Sequence, residues 1–128
     1  SIVSCVPGFI QDGARAAILC PISTTKKMYS VYRKRQLDIC SQLASAGLDI
    51  PDPPQGAMYV FPSIKKFANN SELFAKHILK HSGIATVPGV YFGSEGEGHL
   101  RFSCAGSDQD IEKLGNYFHQ AAMSYEGD

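Results

Sequence analysis

Behind Pro7, apolar side chains fall at Phe9, Ile10, Ala14, Ala17 and Ile18, the spacing of one helix face. A proline suits the first helical position because its missing N–H would have no partner there. A helix is therefore predicted over residues 7–20, mostly buried, with a break at Pro21. Ser23 or Thr24 then reads as the cap of a long helix reaching about to Ala46. Met28, Val31, Tyr32, Ile39 and Leu43 form its apolar stripe, with Lys26, Lys27, Arg33, Lys34 and Arg35 off it. Gly47 stands where a helix commonly ends in a left-handed residue.

The pattern then changes period. Pro51, Pro53 and Pro54 keep the chain extended, and residues 57–61 (Ala-Met-Tyr-Val-Phe) read as a buried strand stopped by Pro62. Asn70 or Ser71 caps a helix to about His81, with Glu72 in its first turn, Leu73, Phe74 and Ile78 on its apolar face, and Gly83 ending it. Residues 84–87 read as a short strand. Residues 90–92 and 99–104 read as two more, flanking a hairpin-like tip at 93–98. Ser107 or Asp108 caps a last helix whose stripe Ile111, Leu114, Phe118, Ala122 packs inward while Asp110, Glu112 and Lys113 face water. Short strands interleaved with helices predict an α+β domain of two layers, helices on one face of a small sheet.

Composition narrows the function classes. Twelve Lys and Arg balance twelve Asp and Glu in 128 residues, which argues against a dedicated nucleic-acid binder. The cluster Tyr32-Arg33-Lys34-Arg35 reads as a solvated helix face. No apolar run approaches the ~20 residues needed to span a bilayer. Cys5, Cys20, Cys40 and Cys104 form no C-x-x-C pair and no zinc-ligand spacing with histidine, so they read as reduced core residues in a cytoplasmic protein. The chain opens on Ser1 without an initiator Met or a signal-peptide pattern, and reads as a piece of something longer.

Three features could carry chemistry. The glycines at 93, 96 and 98 fit neither a dinucleotide fingerprint nor a P-loop, and Glu95 and Glu97 would repel a phosphate, so a turn is expected. His77 and His81 share a helix face but lack the glutamate of a zinc-protease helix, and read as surface histidines. Arg101 differs, because strand alternation sets it and Ser103 opposite Leu100 and Phe102. An arginine in such a strand needs a carboxylate or phosphate on its planar fork, finds an internal salt bridge, or lies in water on an edge strand.

Three segments occur here in the order they take in class I/II aminotransferases, the fold type I enzymes that use pyridoxal 5′-phosphate. They are Ser4-Cys5-Val6-Pro7-Gly8-Phe9-Ile10-Gln11, then Gln55-Gly56-Ala57-Met58-Tyr59-Val60-Phe61-Pro62, then Val87-Pro88-Gly89-Val90-Tyr91-Phe92-Gly93 leading into Gly98-His99-Leu100-Arg101-Phe102-Ser103. The chain resembles the C-terminal third of an aspartate-aminotransferase-like enzyme. The resemblance implies that residues 1–22 are the end of the large domain and linking helix, the fold carrying a long N-terminal linking helix. Residues 23–128 would be a small α+β domain with a mostly antiparallel sheet.

It further implies amino transfer between an α-amino acid and a 2-oxo acid, in a homodimer. Arg101 would grip the substrate α-carboxylate. Tyr59 would lie near the substrate side of the cleft, with core packing as the alternative, and Ser4 near the cofactor phosphate, with a plain helix cap as the alternative. The family's cofactor-bonding lysine belongs upstream of all these motifs. Ser23-Thr24-Thr25-Lys26 imitates its S-x-[ST]-K signature but is rejected, because Lys26 leads into a helix and lies downstream of the first motif. A non-enzymatic ligand-binding or interaction module, or a lyase or decarboxylase of the same fold type, are the competing readings.

Overall fold

A computed structural model describes residues 5–50 and 52–127, and these fall into two compact units dividing after Val31. In the first unit, α1 (Gly8–Ile18) starts from Pro7, whose carbonyl accepts the amides of Ile10 and Gln11. None of its residues is buried, and Phe9 and Ile18 are 75% and 84% exposed, which corrects the expectation of a mostly buried helix. Apolar periodicity marks which face can be buried, and the first unit offers too little chain to cover it.

The boundary between the units falls within α2 (Ile22–Ser45). The helix begins just after Pro21, whose carbonyl accepts the Thr24 amide, so Ser23 and Thr24 sit in the first turn rather than capping it. Met28 and Val31 of the expected stripe are exposed, whereas Ile39 and Leu43 are buried. At the C-terminal end Gly47 takes φ +98°, and Leu48 donates back to the Leu43 carbonyl, closing the helix as anticipated.

The second unit contains the sheet. β3 (Leu100–Ser103) is its central strand, paired antiparallel with β1 (Tyr59–Val60) on one side and β2 (Val87–Pro88) on the other. Tyr59 faces Ser103 and Val60 faces Phe102, while Val87 faces Arg101 and Pro88 faces Leu100. Two expectations change here. Residues 57–61 are not a fully buried strand: Met58 is exposed, and Val60 is buried between exposed Tyr59 and Phe61, the alternation of a half-covered sheet. Residues 84–87 are strand only at Val87.

Residues 90–92 are not a strand at all. They lie in the first of two 3₁₀ turns, Gly89–Phe92 and Ser94–Gly96. These turns pass so close that a Cβ on Gly89 would come within 1.9 Å of the Gly96 carbonyl oxygen. Only two glycines permit that crossing, which replaces the expected hairpin.

α3 (Ser71–Ser82) and α4 (Asp108–Met123) pack against each other and supply much of the core. Asn70 caps α3 by accepting the Glu72 and Leu73 amides, and Gly83 ends it at φ +73°. Leu73 is exposed, with Ser71, Phe74, Ala75 and Ile78 buried in its place. Phe118 of α4 is fully buried and meets the rings of Phe67, Phe74 and Phe102, linking both helices to the underside of β3.

Ser107 opens α4 with a reciprocal cap: its hydroxyl oxygen accepts the Asp110 amide while the Asp110 carboxylate accepts the Ser107 amide. The Ser107 hydroxyl also donates to the Asp110 carboxylate at 2.6 Å, and this bond, with the one from the Ser107 amide, holds the Asp110 carboxyl below the usual carboxylate range. Ser107→Ala removes the hydroxyl and is expected to cost about 1 kcal/mol. The check is a lowered urea midpoint with an unchanged m value.

The basic cluster on α2 is more than a solvated face. Lys34 is exposed beside Asp38, but Arg35 pairs with Asp108 at 2.7 Å, and half-buried Arg33 donates to the Pro54 carbonyl. Arg33 also donates to Gln36, a buried side chain whose amide in turn donates to the carbonyls of Gly56 and Tyr59. These bonds pin the irregular segment leading into β1. Of the four free cysteines, Cys5 and Cys20 are exposed, contrary to the core expectation. Cys40 and Cys104 are buried, and burial pushes both thiols up.

Candidate functional site

The alternation of β3 decides which side chains reach the open face of the sheet. Leu100 and Phe102 are buried beneath it, Arg101 is half-buried and Ser103 is exposed. β1 alternates in phase, so Tyr59 and Phe61 share the face with Arg101. The Arg101 Cζ lies 4.3 Å from the centre of the Tyr59 ring and 4.9 Å from that of Phe92. Each contact at a partly exposed position contributes on the order of 1 kcal/mol and uses the flat face of the guanidinium. Its N–H edges remain for an anion.

This arrangement bears on two of the alternatives for Arg101, the edge strand and the internal salt bridge. β3 is central, so it is not an edge arginine. The ion pairs among the described residues are Lys34–Asp38, Arg35–Asp108 and Lys76–Glu72, and Arg101 is in none of them. Tyr59 is 37% exposed and lies against Arg101, so its ring serves the open face rather than the core.

Phe61, Phe92 and His99 extend the surface, and none of them was singled out from the sequence. Phe61 meets Phe92 edge-on at 5.8 Å and stacks on His99 at 5.2 Å. The His99 Nδ1 donates to the Glu97 carbonyl, which orients the ring. A strand over residues 90–92 gives Phe92 no reason to reach Arg101, whereas the 3₁₀ turn at Gly89–Phe92 sets it there. The glycines bracketing residues 90–92, Gly89 and Gly93, were the available sign of a turn.

The other candidates separate from this face. Ser4 lies outside the described residues. Lys26 is exposed near the start of α2. His77 is half-buried rather than a free surface residue, with its Nε2 on the Ala121 carbonyl and the Ser124 hydroxyl, and His81 stacks on it at 4.1 Å. Among the described residues no three His, Cys, Asp or Glu side chains gather as a metal site. No described helix is long and apolar enough to cross a membrane.

The second unit is in architecture a small α+β domain, with α3 and α4 packed on a three-stranded antiparallel sheet. Residues 3–118 match the family aminotransferase class I and II, and the chain belongs to that family. It is 39% identical over 103 residues to a probable N-acetyl-LL-diaminopimelate aminotransferase of Bacillus subtilis, covering 80% of this chain and 26% of that protein. It is 33% identical over 112 residues to an aspartate aminotransferase of Pyrococcus abyssi, covering 86% of this chain and 28% of that one. Among solved structures, the aromatic aminotransferase of Pyrococcus horikoshii superposes with a TM-score of 0.74 at 30% identity, over 79% of this chain and 27% of its own. The chain thus spans between a quarter and a third of the length of these relatives.

Proposed function

We propose that the chain is the C-terminal part of a pyridoxal 5′-phosphate-dependent aminotransferase moving an amino group between an α-amino acid and a 2-oxo acid, with Arg101 holding the substrate α-carboxylate. Residues 1–22 would close the large domain and residues 23–128 form the small domain of a cytoplasmic homodimer. The observation that carries the reading is the Arg101 guanidinium on a central strand, in none of the ion pairs among the described residues and steadied by two rings. A planar fork takes both oxygens of a carboxylate through parallel hydrogen bonds. Two bonds fix the orientation as well as the position of an amino acid, so that its Cα–H can be aimed at a base. Tyr59 and Phe92 limit how far the fork can swing.

The residues in contact with Arg101 do not themselves fit the cofactor. Tyr59 and Phe92 include no amine to bond its aldehyde and no set of amides to hold its phosphate. When bound, that group draws electrons from the bond that breaks at Cα. Its holding falls to other parts of the enzyme, and this face serves the substrate.

The test uses the complete, cofactor-loaded enzyme. An α-amino acid given alone should yield about one equivalent of its 2-oxo acid per site, and a different 2-oxo acid should then return the enzyme to its starting form, as a ping-pong transfer requires. Release of carbon dioxide or loss of the side chain would instead place the chain in a decarboxylase or a lyase. Absence of any reaction with amino acids would favour the binding module.

A further inference from the structure

Glu97 lies in the segment expected to be a turn that repels phosphate, and its carboxylate bonds two backbone amides beside the site. One oxygen accepts the Ser71 amide at 2.6 Å and the Gly98 amide at 2.8 Å. Ser71 is the first residue of α3, so Glu97 satisfies an amide that the helix cannot, while Asn70 satisfies the next two. Negative charge at that end also meets the positive pole of the helix.

The same loop is fastened at its other end. The Ser71 hydroxyl, fully buried, accepts the Val90 amide, and the Gly89 amide donates to the His99 carbonyl. Between these points the backbones at Gly89 and Gly96 are in contact, which closes the segment on itself. That segment carries Phe92, one of the two rings against Arg101, and leads directly into β3.

We propose that Glu97 is a positioning residue for substrate recognition: its carboxylate latches residues 89–98 onto the first turn of α3, so that Phe92 stays against Arg101 and the guanidinium presents a fixed edge. This rests on the carboxylate-binding reading of Arg101. Glu97 touches neither substrate nor reacting atoms in this scheme. Its effect passes through the loop.

The test compares Glu97→Ala and Glu97→Gln in the complete enzyme, using an α-amino acid and the amine that lacks its α-carboxylate. The ratio of kcat/KM for the two substrates isolates carboxylate recognition. Glu97→Ala should lower that ratio about tenfold, a modest misplacement by the measure of oriented groups. Glu97→Gln keeps a neutral acceptor and should stay within about threefold of the parent. Hydrogen exchange at the Ser71, Val90 and Gly98 amides of the same protein should speed up in Glu97→Ala.

Faster exchange with an unchanged ratio would make Glu97 a purely structural cap and overturn the proposal. Unchanged exchange would overturn the latch itself. If Arg101→Lys leaves the ratio intact, the carboxylate reading fails, and the positioning role falls with it. Exchange still reports on the latch in that case, so the two failures are told apart.

Discussion

Arg101→Lys in the complete enzyme is expected to lower kcat/KM for α-amino acids by about a hundredfold, the loss of one charge-assisted hydrogen bond and of alignment. Lysine keeps the charge but offers a point instead of a fork, and its tetrahedral ammonium has no flat face to lie against Tyr59 and Phe92. Substrate would still be attracted but held in many orientations, so kcat should fall along with the rise in KM. Arg101→Ala should cost more, about a thousandfold, because the charge goes too. Cofactor absorbance at saturation should be unchanged in both variants, since the contacts of Arg101 are not cofactor-binding groups. Kinetics equal to the parent would remove Arg101 from the site.

Phe118→Ala is expected to destabilise the second unit by about 4 kcal/mol, within the range measured for phenylalanine truncation in packed cores. The ring is fully buried and meets three others, Phe67, Phe74 and Phe102, so no single neighbour can relax into the space it leaves. Against a typical total of about 5–15 kcal/mol, that loss removes between about a quarter and most of the stability. Urea unfolding followed by circular dichroism measures it, and a loss under about 1 kcal/mol would show that the cluster is not the centre of the core. Phe118→Leu, which keeps most of the volume, should cost under about 1.5 kcal/mol. Phe102 alternates with Arg101 along β3, so the cluster is also the floor under the site.

The helices of the second unit were legible because their signals are local. Asn70 and Ser107 cap through their own side chains, and Gly47 and Gly83 close helices through a backbone angle that glycine adopts freely. Arg101 was legible for a related reason, since alternation in four residues is enough to set it opposite Leu100 and Phe102. The residues around it were not. Phe92 reaches Arg101 only because two glycines seven positions apart let their turns cross, and Glu97 finds its partner 26 residues away at the start of α3. Burial of α1 was misread for the opposite reason: its apolar face is real, and the periodicity that reveals it carries no information about what covers it.

By itself, then, the amino-acid order determined the α+β class, the ends of the helices capped at Asn70 and Ser107 or closed at Gly47 and Gly83, the family motifs and the candidate arginine, each through interactions spanning a few residues. Tertiary structure decided that Arg101 occupies a central strand and no ion pair among the described residues, that Tyr59 turns to the open face, and that Phe92, Phe61 and His99 join it. The physical reason is range. Propensity and periodicity act along the chain, whereas a guanidinium's environment depends on which strands pair beside it and which loop folds back over it.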